Sequence, residues 1–306
     1  MQPLAARSAL SSGAQQSAAA SAQPRSKTRR CSRSASSPYW RSGPDDGVTV
    51  EGMRSREELD AWVLPHSLAT PARGAAPSGP RIILKILEVC SGCGSVSAAA
   101  AKEARENFGV HDVQIFSVDG KPGAGATRTV DLLTYDWAND AQLRRFRESE
   151  EGATCIYYAH ASPPCGPYSC MVARPMAARD LRWGDSVAQR CLELIAFFRP
   201  DYWTLESRGP PGLDSRCFMR SLEPMRATVT YCRYGWQRHK PTSIWTNVSW
   251  RPEPKCTPSN CCAHFAEHGR HLDTVRRAAN AGCADFAALP EQLVRSWTHA
   301  ALGFMV

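Results

Sequence analysis

The stretch Ile82-Ile-Leu-Lys-Ile-Leu-Glu-Val-Cys90 runs directly into Ser-Gly-Cys-Gly (91–94) and then into SVSAAAAKEARENF (95–108). An apolar run of that length predicts a buried strand, and the alanine-rich segment is made of good helix formers. Strand, glycine turn and helix in direct succession open an α/β fold. Further strands are predicted at VQIFSVD (113–119), CIYYAHA (155–161), YWTLE (202–206), TVTYCRYG (228–235) and TSIWTNV (242–248). Helices are predicted at 139–147 and at DSVAQRCLELIAFF (185–198), where Val187, Cys191, Leu194, Ile195 and Phe198 recur at helical spacing. This alternation implies a mostly parallel sheet with helices on both faces. In such sheets ligands sit beyond the carboxyl ends of the strands.

Outside that core the composition changes. Residues 1–44 are Ser-, Ala-, Gln- and Arg-rich, carry seven basic residues and no acid, and offer almost no large apolar side chains. Such a segment cannot offset its ordering entropy and reads as disordered. Its Arg-rich, acid-free make-up also fits an organellar transit peptide, and Lys27-Thr-Arg-Arg-Cys-Ser-Arg33 fits a nuclear address or a polyanion-binding arm. Residues 55–64 predict a short helix and 67–80 a linker, so 1–80 stands as a disordered or targeting segment, 81–250 as the main domain and 251–306 as a small extension. Residues 216–306 carry +6 of the chain's net +8, which leaves −5 for 45–215. Any nucleic-acid face would then lie late in the chain, though such charge alone reads more readily as solvated surface. No apolar run approaches the roughly 18–20 residues of a spanning helix, which argues against a membrane protein. Thirteen cysteines, an odd number, and no signal-peptide core predict a reduced, intracellular protein, in nucleus or organelle.

The residues that carry chemistry fall at the predicted strand ends. Glu88-Val-Cys-Ser-Gly-Cys-Gly-Ser95 is a turn whose glycines let a ligand approach the backbone at a helix N-terminus. Asp119 ends the second strand, 25 residues after Gly94, where an acid can bind ribose hydroxyls, and Asp131 follows. Without phosphate-binding residues the turn suits an uncharged nucleoside end. In Ala161-Ser-Pro-Pro-Cys-Gly-Pro-Tyr-Ser169, two prolines stiffen the loop that carries Cys165, which suits a nucleophilic thiolate or is a stiff turn with an incidental cysteine. Tyr202-Trp-Thr-Leu-Glu-Ser-Arg-Gly209 puts Glu206 and Arg208 at the next strand end. There a carboxylate can hydrogen-bond or protonate a substrate ring, or simply pair with the arginine. Arg238, His239 and Lys240 lie between the last two predicted strands as substrate or phosphate contacts.

Taken together and in this order, the segments resemble the DNA cytosine-C5 methyltransferases. Ser91-Gly-Cys-Gly94 is similar to the family's first motif, with Glu88 where Asp is usual. Ser162-Pro-Pro-Cys165 resembles the catalytic Pro-Cys loop, and Tyr168-Ser169 stands where Phe-Ser is usual. Glu206-Ser-Arg208 is similar to the Glu-Asn-Val motif, and Gln237-Arg-His-Lys240 to the Gln-x-Arg-x-Arg motif. Lys240-Pro-Thr followed by Ile244-Trp-Thr-Asn247 is shared with short phage-type and algal members. The resemblance covers roughly 82–250. It implies a Rossmann-like, S-adenosylmethionine-dependent methyltransferase fold with a small C-terminal recognition extension, and a monomer acting on a cytosine flipped out of DNA. It implies Cys165, Glu206 and Arg208 as catalytic residues, and Glu88, Ser91, Gly92, Cys93, Gly94, Asp119, Asp131 and Pro163 at the cofactor. Ser169, Arg238 and Lys240 would contact substrate or DNA. An RNA cytosine-C5 methyltransferase and a non-catalytic cofactor- or DNA-binding relative are the alternatives.

Three features depart from that pattern. Cys90 stands where the family has an adenine-stacking Phe. Only 59 residues follow Asn247, too few for a full target-recognition domain and the last two motifs. No Gly-Asn pair occurs near the C-terminus, so either 55–64 replaces the last motif in a permuted order or the enzyme is minimal. The run Cys256-x4-Cys261-Cys262-x-His264-x3-His268-x2-His271 has metal-ligand residue types, four of which could hold zinc. Its spacing fits no standard finger, and no metal ligand is assigned from the sequence.

Overall fold

The computed structural model describes residues 81–168, 180–271 and 288–306. The expected segment 1–80, with its helix at 55–64, and Ser169 lie outside the described residues. Seven strands, β1 (Arg81–Val89), β2 (Asp112–Asp119), β3 (Arg128–Thr129), β4 (Ala153–Ala161), β5 (Tyr202–Arg208), β6 (Arg226–Thr230) and β7 (Pro241–Thr246), form one sheet in the order β3-β2-β1-β4-β5-β7-β6. All run parallel except β7, which is antiparallel to both β5 and β6. The chain is therefore α/β with a mixed, mostly parallel sheet, compatible with a Rossmann-like fold. No helix among the described residues is long and apolar enough to cross a membrane.

Strand β1 shows why its run of apolar residues reads as a strand buried on both faces. Leu84 and Ile86 pack on one side with Val96, Ala100 and Ala104 of helix α1 (Ser95–Phe108). Leu87 and Val89 pack on the other with Leu194, Ile195 and Phe198 of helix α3 (Leu181–Phe198). The short helix α2 (Ala141–Arg147) adds Leu143 to this second layer. Lys85 is buried in the middle of β1, and its ammonium donates to the Glu148 carbonyl at 2.7 Å.

Two of the departures from expectation bear on the site. The strand predicted over 228–235 ends at Thr230, because Tyr231–Tyr234 close a tight 3-10 turn that stops at Gly235, whose φ is 85°. The last helix, α5 (Glu291–Leu302), falls inside the expected extension 251–306 yet belongs to the main core. Leu293, Val294, Trp297 and Ala301 pack with Leu84, Ile86 and Tyr158. Arg295 and His299 of α5 both bond the buried Glu103 carboxylate of α1, at 2.6 and 2.8 Å. Helix α4 (Ala263–His268), by contrast, buries none of its residues.

Candidate active site

The chain leaves β1 toward β2 and β3, then returns across β1 to form β4 on its other side. The carboxyl ends of β1 and β4 therefore flank the point where the winding reverses, and the crevice there is where open α/β sheets bind ligands. The glycine turn leaves β1 at this point, and the Pro-Pro-Cys loop leaves β4 beside it.

The turn is held by residues at the end of β2. Cys90, Gly92 and Gly94 have φ of 55°, 53° and 71°, the left-handed region that Gly adopts at little cost. The buried Ser91 donates its N–H to the Val118 carbonyl, and its own carbonyl accepts from Gly94 N–H at 2.8 Å. Asp119 accepts from Gly92 N–H at 2.8 Å and from Lys121 N–H at 2.7 Å, so it fastens the turn to the end of β2. Each carboxylate oxygen keeps room for a second donor. Val130 N–H donates to the Asp119 carbonyl, which sets the exposed Asp131 just beyond β3; its carboxylate accepts from Leu133 N–H. Cys93 is exposed at the turn's tip.

Glu88 has a more specific task than its motif suggests. The N-cap of α1 is Gly94, which has no side chain to cap the helix. Glu88 supplies the acceptor from inside β1, bonding both the N–H and the hydroxyl of Ser97. It is buried there, and burial pushes its carboxyl above the usual carboxylate range. Cys90 turns its sulfur to within 3.9 Å of Cys191 Sγ in α3, so this residue faces the core layer.

Beneath the Pro-Pro-Cys loop runs a buried chain of hydrogen bonds. The Trp297 indole N–H donates to the Tyr158 hydroxyl at 3.1 Å, and that hydroxyl meets Thr204 Oγ1 at 2.8 Å. Thr204 Oγ1 lies 2.7 Å from His160 Nδ1, and His160 Nε2 lies 2.7 Å from Ser162 Oγ. Ser162 is the residue before Pro163 and Pro164, and its N–H bonds the Val89 carbonyl. The chain thus fixes the root of the loop that carries Cys165. Burial pushes the His160 imidazole down to about 3, so it stays neutral in the folded protein. The unfolded chain takes up this proton below about pH 6.5 while the folded one does not, so stability falls as pH drops from there toward 3. Between pH 7 and 5 this residue should cost the wild type about 2 kcal/mol. Urea unfolding of His160→Gln at both pH values should show that much less acid loss; parallel losses in the two proteins would refute the assignment.

Glu206, at the end of β5, is buried, and its Oε1 accepts from the Tyr231 hydroxyl at 2.9 Å and pairs with Lys240 Nζ at 3.4 Å. Lys240 Nζ also bonds the Tyr231 hydroxyl at 3.3 Å and stands 4.5 Å from the centre of its ring. Tyr231 begins the turn after β6 and Lys240 precedes β7. Because β7 is reversed, this whole connection emerges at the same sheet edge as the ends of β1, β4 and β5. Gly209 lets the edge close: its N–H donates to the Pro241 carbonyl at 2.8 Å, and an added Cβ would meet that backbone at 2.8 Å.

The half-buried Cys165 belongs to the same group electrostatically. Burial first, and then the Glu206 carboxylate, push its thiol above the ordinary range, while Lys240 and the half-buried Arg208 pull the other way. The resting sulfur is therefore a protonated thiol. Pro163, between the anchored Ser162 and this sulfur, is buried. Arg238 is half-buried in the β6–β7 connection, two residues before Lys240.

Of the expected residues, Cys165, Glu206, Arg208 and Lys240 come together, and the glycine turn, Asp119 and Asp131 line the neighbouring strand ends. Sequence reading missed Tyr231, His160 and Thr204. It also missed the approach of the C-terminal segment to the turn, where Leu289 N–H donates to Ser95 Oγ at 3.2 Å. The pattern Leu289-Pro-Glu-Gln-Leu-Val, with Pro just before a helix, was the available signal for it. Comparison with known protein families finds no matching model, and comparison with curated proteins finds no match.

Proposed function

We propose that this chain transfers a methyl group from S-adenosyl-L-methionine to carbon 5 of cytosine in DNA. The observation that carries the reading is the meeting of a proline-held thiol, Cys165, with the Glu206–Tyr231–Lys240 group at the crevice edge of the sheet. Cytosine carbon 5 is a weak nucleophile, so the ring must first be made enamine-like. As the Cys165 sulfur adds to carbon 6, its proton passes by way of the Glu206 carboxylate to the ring at N3, where charge collects. Tyr231 and Lys240 hold that carboxyl in place. Loss of the carbon 5 proton after methylation then returns the electron pair that expels the sulfur.

The turn after β1 fits the cofactor. Among the described residues, no heavy atom outside its immediate chain neighbours lies within 4 Å of where a Cβ on Gly94 would stand, leaving open space at the start of α1. Asp119 would take the ribose hydroxyls and Asp131 the adenine amino group, with Gly92 and Ser91 supplying backbone. When bound, the cofactor supplies the methyl group as an electrophile. Carbon 6 is shielded in a stacked duplex, so the base must be flipped out. The +6 charge of residues 216–306 favours the phosphate backbone. Methyl transfer from labelled cofactor should appear on duplex DNA, with tRNA as the comparison. Label on tRNA alone would move the reading to RNA, and label on neither would leave a binding protein.

Asp119→Ala should weaken S-adenosylmethionine binding at least about tenfold, the scale of losing about 1.5–3 kcal/mol of charge-assisted hydrogen bonding. Calorimetry is the check, and unchanged affinity would remove Asp119 from the site.

A further inference from the structure

Beside the group around Glu206, the chain gathers a second set of chemically distinctive side chains. Cys232 lies in the turn after β6, and Cys256, Cys262 and His271 lie in the segment that follows β7. Their ligand atoms all fall within 4.8 Å of one another. The Cys256 and Cys262 sulfurs lie 3.5 and 3.3 Å from His271 Nε2. A tetrahedral zinc, about 2.3 Å from sulfur and about 2.0–2.1 Å from nitrogen, sets those two atoms about 3.6 Å apart. We propose that Cys232, Cys256, Cys262 and His271 bind one zinc ion as a closed structural site.

The surroundings argue for a metal over mere packing. Helix α4 buries none of its residues, and the local core consists of the three cysteines with Cys261 and Phe265 against them. A segment with so little apolar area needs another cross-link to hold a fixed shape. Backbone groups already orient two of the sulfurs: Cys262 N–H points at Cys256 Sγ at 3.2 Å, and Phe265 N–H at Cys262 Sγ at 3.5 Å. Three thiols and one imidazole with no hard oxygen ligand select zinc over magnesium or calcium. The set also resolves the ambiguity of the sequence run. Cys261, His264 and His268 stand outside it, and the fourth ligand, Cys232, comes from 24 residues before Cys256.

The site would brace the crevice edge. Cys232 adjoins Tyr231, which bonds Glu206. His239, next to Lys240, lies with its Nε2 3.3 Å from the Cys256 carbonyl and its ring 5.0 Å from that of His271. The ligand assignment does not depend on the methyl-transfer reading.

The test uses the full chain, expressed with zinc in the medium and purified under a thiol reductant. Metal analysis should find about one zinc per chain. Cobalt(II) in its place should give the thiolate charge-transfer and tetrahedral ligand-field bands of a sulfur-rich site. Cys232→Ser should bind zinc at least about tenfold more weakly, whereas Cys261→Ser should keep wild-type affinity. Should Cys232→Ser fail to fold, chelator titration of the wild type replaces it, with release of one zinc and a lowered Tm expected. A folded wild type with neither zinc nor cobalt bands would overturn the proposal. So would a disulfide among the three cysteines under those conditions, or Cys261→Ser losing metal as Cys232→Ser does.

Discussion

Wild-type protein mixed with S-adenosylmethionine and a duplex carrying 5-fluorocytosine should form a complex that survives denaturing electrophoresis, and Cys165→Ala should form none. Fluorine occupies the position of the proton that must leave carbon 5. Addition of sulfur to carbon 6 and methylation at carbon 5 can both proceed, but the elimination that frees the enzyme cannot. The difference between the two proteins is all or none, because one covalent bond accounts for it. Cys170→Ala should still trap, since that cysteine lies beyond the proline-stiffened stretch of the sequence. If wild type binds duplex and cofactor yet never traps, catalysis through Cys165 is refuted and a binding role takes its place.

Glu206→Gln should move two rates in opposite directions. Methyl transfer should fall by about 10²–10⁴, the range for losing a positioned proton-transfer group. Alkylation of Cys165 by iodoacetamide, followed peptide by peptide at fixed pH, should instead become faster. The Glu206 carboxylate is one of the causes holding the thiol protonated, so its removal lowers the thiol's pKa and raises the thiolate fraction. Lys240→Met should slow the same alkylation, because the lysine charge pulls the other way. A general loosening of the loop would speed alkylation in both variants. That shared acceleration would show that the charges of this group do not govern the sulfur.

Much of this was legible in the chain itself. The apolar run before Ser91-Gly-Cys-Gly94 and the helix after it declare a strand, a turn and a helix through local periodicity alone. Ser162-Pro-Pro-Cys165 marks a held sulfur because proline limits its own backbone. What stayed hidden depends on partners distant in sequence. Tyr231 reads as one more aromatic in a strand, and only the early end of β6 turns it onto Glu206. Cys232 sits outside the Cys- and His-rich run and joins it only through that same turn. Helix α5 buries Leu293, Val294 and Trp297 as a core helix does, but no local pattern says that its partner is α1, nearly two hundred residues earlier. His160 looks like an isolated histidine in an apolar strand until Thr204 and Ser162 supply its two partners.

The reversal of β7 gives the fold an adjustable part. The connection from β6 to β7 is anchored at one end by Tyr231 and at the other by Lys240, and Gly235, Gln237 and His239 between them are exposed. Inserting residues beside Gln237 should leave the sheet register unchanged. Doubling the length of such a loop costs only about 0.6 kcal/mol in closure entropy. New side chains introduced there would enter an exposed part of this connection, between the two anchors. On the proposed function, target preference would then drift by insertion and deletion at one point in the chain while the reacting groups stay under separate constraint, and libraries built at Gln237 would test for altered sequence choice.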